Sequence, residues 1–270
     1  MSANSSLLAI ARSIAVEAAH LARQRRQDGV EIAASKSSPE DVVTAADREV
    51  EQLIRRRLAE ARPDDAFLGE ESGGGGGTSG LTWVVDPIDG TVNYLYGIPS
   101  YAVSIAVVEG EPDPATWTAL AGAVVNGATG EVWTAAEGEG AERDGAALRA
   151  VPPASLSLAL VGTGFGYDAG RRQRQGAVVQ ELLGEVRDIR RIGSAALDLC
   201  AVATGQLNAY YERGLNPWDL AAGALIAQEA GVRVEGFGGR PASSDLLIAA
   251  PEPLFGELEA LLRRLRADEV

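Results

Sequence analysis

One run limits this 270-residue chain more than any other: Trp83-Val84-Val85-Asp86-Pro87-Ile88-Asp89-Gly90-Thr91. Leu81 to Val85 reads as a buried strand that stops at Asp86-Pro87. Pro87, with its φ fixed by the ring, sets the turn that follows. Asp89 lies three residues after Asp86, so both carboxylates can converge on one point, and the Ile88 carbonyl between them adds a third hard oxygen. Gly90 and Thr91 open a helical turn whose free amides make an anion site. Oxygen ligands beside a phosphate cradle suit Mg²⁺, which binds through a few carboxylates, waters and substrate oxygens. Taken alone, the run also fits a strand-end Asp that merely caps a turn.

Two further acidic points stand at element ends, where sites are usually built. Glu70-Glu71 follows the short apolar run Ala66 to Gly69, and Asp219 follows Trp218 at the start of a helix behind Asn216-Pro217. Spacing does not bring the three points together, and an isolated Asp or Glu reads first as a solvated surface carboxylate. The rest of the composition removes competing chemistries. One cysteine, Cys200, excludes an internal disulfide framework and a multi-cysteine zinc site. One histidine, His20, excludes a His-rich metal site and, unless His20 itself serves, a Ser-His-Asp triad. The balance of 24 Lys plus Arg against 38 Asp plus Glu, a net charge of −14, argues against general nucleic-acid binding. It also opposes a phosphorylated substrate unless bound cations reverse the sign locally. No apolar run reaches the length of a membrane span, and Met1 to Ser6 lacks a signal-peptide pattern, so the expectation is a cytoplasmic chain with no membrane partner.

Around these points the chain alternates helix and strand. Helical spacing runs from Leu7 to Ala22, with Ser5 or Ser6 as cap. A second helix starts at Thr44, with Asp47 completing a capping box, and Arg62-Pro63-Asp64 ends it. Gly73 to Gly77 reads as a flexible loop, and no Gly-Lys-Ser/Thr follows to make it a P-loop. Strands are expected at Tyr101–Val108, Leu120–Asn126 and Glu131–Ala135. A seam at Arg149 to Pro153 divides the chain into parts at 1–150 and 151–270. The second part predicts strands at Leu156–Val161, Asp188–Ile192, Leu207–Tyr211, Val232–Val234 and Leu246–Ala249. Its helices are expected at Arg172–Leu183, Ser194–Ala203, Pro217–Ala230 and Glu252–Arg266. This is mixed α/β structure in layers.

Taken together, these motifs resemble the inositol monophosphatase family, within the lithium-sensitive, magnesium-dependent phosphatases. The likeness rests on Lys36-Ser37-Ser38-Pro39 with Asp41 to Asp47, Gly69-Glu70-Glu71-Ser72, Asp86 to Asn93, Gly193-Ser194-Ala195, and Trp218-Asp219 with Glu229-Ala230-Gly231. Thr91 to Pro99 is most similar to the bacterial (SuhB-like) branch. The resemblance implies a layered α-β-α-β-α sandwich with most of the metal site in the N-terminal part. It implies two to three Mg²⁺ ions: one on Glu70, Asp86 and the Ile88 carbonyl, a second on Asp86, Asp89 and Asp219, and a weaker third near Glu70. Asp47 and Thr91 are then the pair that orients the attacking water, Gly90 and Thr91 hold phosphate, and Lys36 sits on a loop near the metals. Gly193, Ser194, Ala195 and Glu212 match positions that contact the polyol. The implied reaction is hydrolysis of inositol 1-phosphate, a small phosphorylated polyol, by a homodimer. Histidinol phosphate and other small phosphate esters are the alternative substrates. Arg171-Arg172, Arg174, Arg190-Arg191 and Arg263-Arg264 leave open a non-catalytic protein that regulates a macromolecular partner.

Overall fold

The computed structural model describes residues 2–30, 32–35, 42–153 and 155–269. Lys36 to Pro39 and Asp41 lie outside the described residues. In chain order the elements begin with α1 (Ala3–Asp28), the antiparallel pair β1 (Ile32–Ser35) and β2 (Val42–Thr44), and α2 (Ala45–Ala61). Then come β3 (Ala66–Gly69), β4 (Gly73–Gly75), β5 (Leu81–Asp89), α3 (Thr91–Tyr96), β6 (Ala102–Glu109), β7 (Thr118–Asn126), β8 (Val132–Ala136), β9 (Gly140–Arg143) and β10 (Ala146–Ala147). The second part holds β11 (Leu160–Thr163), α4 (Ala169–Leu182), β12 (Asp188–Arg190), α5 (Ala195–Ala203) and β13 (Ala209–Glu212). It closes with α6 (Pro217–Glu229), β14 (Arg233–Glu235), β15 (Leu247–Ala250) and α7 (Leu254–Arg264).

Five layers result. An eight-stranded sheet has the order β10-β9-β8-β7-β6-β5-β3-β4, and a five-stranded sheet has the order β12-β11-β13-β15-β14. α1 and α2 cover the outer face of the large sheet, where Leu7, Ile14, Val50 and Ile54 meet Val85, Ile105 and Val107 in one core. α5 and α6 lie between the sheets. Ala196, Cys200, Ala222 and Ile226 pack against Val84, Ala106 and Val124 on one side, while Leu199, Leu220 and Ala227 meet Tyr210 and Leu247 on the other. α4 and α7 close the far face with Val178, Leu258 and Leu262. α6 is apolar all round because it has a sheet on each side. Its approach to β7 is close enough that a Cβ on Gly122 would sit 3.0 Å from the Ala222 Cα. This is the α-β-α-β-α sandwich expected from the sequence.

Several local expectations change. α1 begins earlier and is capped by Ser2, whose hydroxyl accepts from the Ser5 amide, rather than by Ser5 or Ser6. It also runs beyond Ala22 through residues 23–28, where Arg and Gln favour helix. By length and composition α1 could cross a membrane, yet its apolar stripe is buried on the large sheet and α2. The Gly73–Gly77 segment is not all loop, since Gly73–Gly75 pairs with β3 as an edge strand. Backbone pairing needs no side chain, and at Gly77 a Cβ would come 2.3 Å from the Ala66 nitrogen. Strand β5 does not stop at Asp86; pairing with β6 resumes at Asp89 after an irregularity at Pro87-Ile88. Leu156–Leu158 forms a 3₁₀ turn and the strand starts at Leu160. The β9–β10 hairpin was not anticipated, although Asp144-Gly145 carries its signal: both residues have positive φ, 51° and 81°.

Candidate active site

The acidic residues meet at the carboxyl ends of a parallel strand pair. β3 and β5 run parallel, with Gly69 opposite Val85, so Glu70 emerges beside Asp86. The Glu70 amide donates to the Val85 carbonyl at 3.2 Å, which extends the ladder one residue past β3. One residue on, the Glu71 amide donates to the buried Glu51 carboxylate of α2 at 2.8 Å. Gly69 has no room for a Cβ, which would lie 2.4 Å from Glu51 Oε2. Asp86 is 2% exposed and accepts from the Ile88 amide at 3.0 Å, an Asx turn that folds the chain at Pro87.

Asp89 is held from the opposite layer. Its Oδ2 accepts from the Ser194 hydroxyl at 2.6 Å and from the Ala196 amide at 2.8 Å, both at the N-terminus of α5. Gly90 follows with φ 92°. A Cβ there would lie 3.0 Å from both the Gly193 and the Ser100 carbonyl oxygens, so only glycine fits between the halves. Asn93 ties the same seam, donating through Nδ2 to Ser100 O at 2.7 Å and Ile192 O at 2.8 Å. Asp219 occupies the first turn of α6. Its carboxylate accepts from the Asn216 amide at 2.6 Å, and Pro217 begins the helix without needing a donor of its own.

Asp86, Asp89 and Asp219 each place a carboxylate oxygen within 4.8 Å of the other two. Burial, then the neighbouring charges of Glu70, Asp89 and Asp219, holds the Asp86 carboxyl well above its ordinary range. Asp86 and Glu70 are also hydrogen-bonded to each other. Burial with Asp89 and Glu70 does the same to Asp219, which is half-buried as a residue but enclosed at its carboxylate. Asp89 is pushed up to about 6 by burial, against the pull of Ser194, the α5 amides and Arg191. Among the described residues no Lys or Arg forms an ion pair with Asp86, Asp89 or Asp219. Such an all-oxygen, mutually repelling set fits a hard divalent cation, whose charge removes the repulsion.

Beside it sits a pair suited to positioning water. The Thr91 hydroxyl lies 3.1 Å from Asp47 Oδ1 and 3.1 Å from the Ile88 carbonyl. Asp47 is locked by the reciprocal capping box of α2, its Oδ2 accepting from the Thr44 amide at 2.9 Å and from the Thr44 hydroxyl. Burial pushes Asp47 up to about 6, with Glu70 and Glu71 adding to the rise and the Thr44 bonds opposing it.

A cavity of about 500 Å³ opens from the carboxylates toward the small sheet. Gly90, Thr91, Gly193, Ser194, Ala195 and Glu212 all line it. Ser194 is there chiefly as the Asp89 donor and α5 cap, with its residue 1% exposed. Glu212 ends β13, takes a hydrogen bond from the Tyr210 hydroxyl, and is pushed up to about 7 by burial. Gly164 leaves room for it, since a Cβ there would overlap the Glu212 carboxylate. Lys36, the remaining candidate, lies outside the described residues. His20 is exposed on α1 and Cys200 is fully buried, away from any catalytic role.

Sequence reasoning missed Glu51 and Asn93 as supports, and it did not connect Arg171, Arg191 and Arg213 to this cavity, which all three line. Glu51 gave the faint signal of an acid on the buried face of a helix.

The sequence and the sandwich it builds match one set of known proteins. A profile of the Inositol monophosphatase family matches residues 3–267. The chain belongs to that family. It is 46% identical to "Inositol-1-monophosphatase SuhB" of Mycobacterium tuberculosis, over 97% of this chain and 95% of the relative. The solved structure of Mycobacterium tuberculosis SuhB superposes with a TM-score of 0.80 at 44% identity, covering 97% of both chains. A Pseudomonas aeruginosa relative named "Nus factor SuhB" is 40% identical over 77% of each chain. Family membership supports phosphatase chemistry, and the three carboxylates form a group that could hold a metal ion.

Proposed function

We propose that this chain is a Mg²⁺-dependent phosphomonoesterase that hydrolyses inositol 1-phosphate to inositol and phosphate. The convergence of Asp86, Asp89 and Asp219 within 4.8 Å, at the mouth of a cavity that also holds Thr91 and Asp47 nearby, carries this reading. Glu70, Asp86 and the Ile88 carbonyl would hold one ion and Asp86, Asp89 and Asp219 a second, with Glu70 toward a third. Bound Mg²⁺ supplies positive charge to the phosphoryl oxygens and lowers the pKa of water at neutral pH.

The chain's own groups do the rest. Thr91 and Asp47 orient the attacking water and accept its proton, a role to which a carboxylate near pKa 6 is matched at neutral pH. Gly90 and Thr91 take phosphate oxygens at the strand-to-helix turn. Glu212, Ser194 and the Gly193–Ala195 backbone face the alcohol. Ser194 and Ala196 keep Asp89 Oδ2 engaged, so its other oxygen is left for the cation. Substrate, homodimeric state and lithium sensitivity belong to this proposal together, with histidinol phosphate or another small phosphate ester as the alternative substrate.

A purified sample assayed with Mg²⁺ against inositol 1-phosphate, histidinol phosphate and other small esters tests the reading. Fastest turnover is expected on inositol 1-phosphate; a higher kcat/KM on histidinol phosphate reassigns the substrate. A second reading, regulation of a macromolecular partner, is favoured by the name of the Pseudomonas aeruginosa relative. Absence of Mg²⁺-dependent hydrolysis of every ester would favour it over catalysis.

A further inference from the structure

Helix α2 supports more of the acidic centre than Asp47 alone. Asp47, Glu51 and Arg55 follow one another at steps of four, which puts their side chains on one stripe of the helix. Asp47 meets the Thr91 hydroxyl at 3.1 Å. Glu51 accepts from the Glu71 amide at 2.8 Å, and Arg55 Nη1 donates to the Ser72 hydroxyl at 2.9 Å. The stripe therefore touches the water-positioning pair at its first position and the turn between β3 and β4 at the other two. That turn is short. Gly69 pairs with Gly73, so Glu70, Glu71 and Ser72 are all that lies between the strands.

Glu51 is the buried member of the stripe that the water-positioning pair does not use. It is 3% exposed, and among the described residues no Lys or Arg forms an ion pair with it. A carboxylate taken out of water without a cation is costly, yet the chain makes room for this one. A Cβ on Gly69 would lie 2.4 Å from Glu51 Oε2, so glycine there lets the carboxylate reach the turn. Its hydrogen bond goes to the residue next to Glu70, and the Glu70 amide is itself tied to the Val85 carbonyl at 3.2 Å. The peptides on both sides of Glu70 are thus held, one by β5 and the other by α2. Asp47, raised first by burial, is raised further by the charges of Glu70 and Glu71, so the turn also lies close to the start of the helix.

We propose that Glu51 is a positioning residue for Glu70: it holds the peptide that follows Glu70, and with Asp47 one helical turn earlier it keeps the cation-holding carboxylate and the water-positioning pair in one frame. The inference rests on the Mg²⁺-dependent phosphatase reading and adds to it a support from α2, much as Ser194 and Ala196 of α5 support Asp89. The hydrogen bond does the holding, and the negative charge of Glu51 does not. Gln offers a carbonyl oxygen to the same amide and should serve in its place. Asp keeps the charge but is one methylene short of the turn, and should fail.

Calorimetric titration of the full chain with Mg²⁺, in the absence of substrate, decides between these variants. E51D should weaken Mg²⁺ binding at the ions Glu70 holds by about tenfold or more, the usual effect of losing a group that orients a metal ligand. E51A, which loses charge and reach together, should behave as E51D does, and E51Q should stay within about threefold of the unaltered protein. Phosphate release from inositol 1-phosphate gives a second readout. In E51D the Mg²⁺ concentration for half-maximal rate should rise about tenfold, while KM for the ester at saturating Mg²⁺ stays within about twofold. A merely structural prop would lower the active fraction without moving the Mg²⁺ dependence, and that result overturns the proposal. So does unchanged Mg²⁺ affinity in E51D and E51A, or a loss in E51Q as large as theirs, which would make the charge the active feature. If the unaltered protein binds no Mg²⁺, the metal assignment and this inference fall together. If it binds Mg²⁺ and hydrolyses no ester, the phosphatase reading fails, while the titration still decides this one.

Discussion

The two sheets contribute to one cavity by the same topological device and with opposite charge. Among the described residues the parallel pair of the large sheet is β3 with β5, and its carboxyl ends deliver Glu70, Asp86 and Asp89. In the small sheet the parallel set is β12, β11 and β13, whose ends deliver Arg191, the 164–168 loop, Glu212 and Arg213. Of the first, Asp86 and Asp89 are buried and Glu70 is half-buried; the arginines of the second are half-buried or exposed. The lesson concerns dielectric as well as sign. Buried carboxylates act strongly on one another and suit a cation, while accessible guanidinium groups stay hydrated.

Substitutions separate these contributions. The largest effect is expected from Asp89→Asn, which removes a carboxylate from the three-acid cluster. Mg²⁺-dependent kcat/KM should fall by at least about two orders of magnitude, the several kcal/mol a positioned cation contributes, with circular dichroism unchanged. An unaltered rate would overturn the metal assignment. Thr91→Ala should cost about a hundredfold in kcat with a smaller change in KM, since it loses the partner of Asp47 that orients water. Comparable loss of Mg²⁺ binding in that variant would instead make Thr91 a structural prop.

Ser194→Ala tests the small-sheet side of the acidic centre. It removes the 2.6 Å donor to Asp89, and Mg²⁺ affinity by titration should weaken about tenfold. Stability should also depend on pH in a definite direction. Asp47 and Asp89 are raised to about 6, so between the ordinary carboxylate range and pH 6 the folded chain binds more protons than the unfolded one. Without Mg²⁺, melting temperature should therefore decline as pH rises through that window and stay low above it. Saturating Mg²⁺ should raise it by roughly 5 °C at pH 7.5 and by much less at pH 5. Equal gains at both pH values would show that the ion does not compete with these protons. The smallest effect belongs to Tyr94→Phe, in the core between α1 and the large sheet. It loses the buried 2.9 Å bond to Ala22 O and should cost about 1 kcal/mol, read by denaturant melts.

How far the sequence could be read differs between the same two regions. Asp86-Pro87-Ile88-Asp89-Gly90-Thr91 is local, because strand, turn and helix start follow one another and each residue's conformational role is carried by its own type. The Thr44–Asp47 capping box was legible for the same reason. The length of β5 was not, since its continuation to Asp89 depends on pairing with Ala102 in β6. Nor was the pairing of Gly73–Gly75, because glycine carries no side-chain signal for a strand whose partner, β3, supplies the order. Glu51 and Asn93 look like ordinary helix residues until the Glu71 amide and the Ile192 carbonyl arrive beside them. Arg171 and Arg191 stood out only as basic positions on a surface.

The sequence by itself determined the carboxylates, the turn that aims two of them, and the order of elements, because hydrophobic periodicity, proline and glycine act over a few residues. Tertiary structure alone decided that Asp219, 130 positions after Asp89, completes the cluster. It alone set Ser194 against Asp89 and gathered arginines from separate strands at one cavity. Those juxtapositions depend on how two sheets share the α5–α6 layer, and packing of that kind is a property of whole faces that no local run of residues encodes.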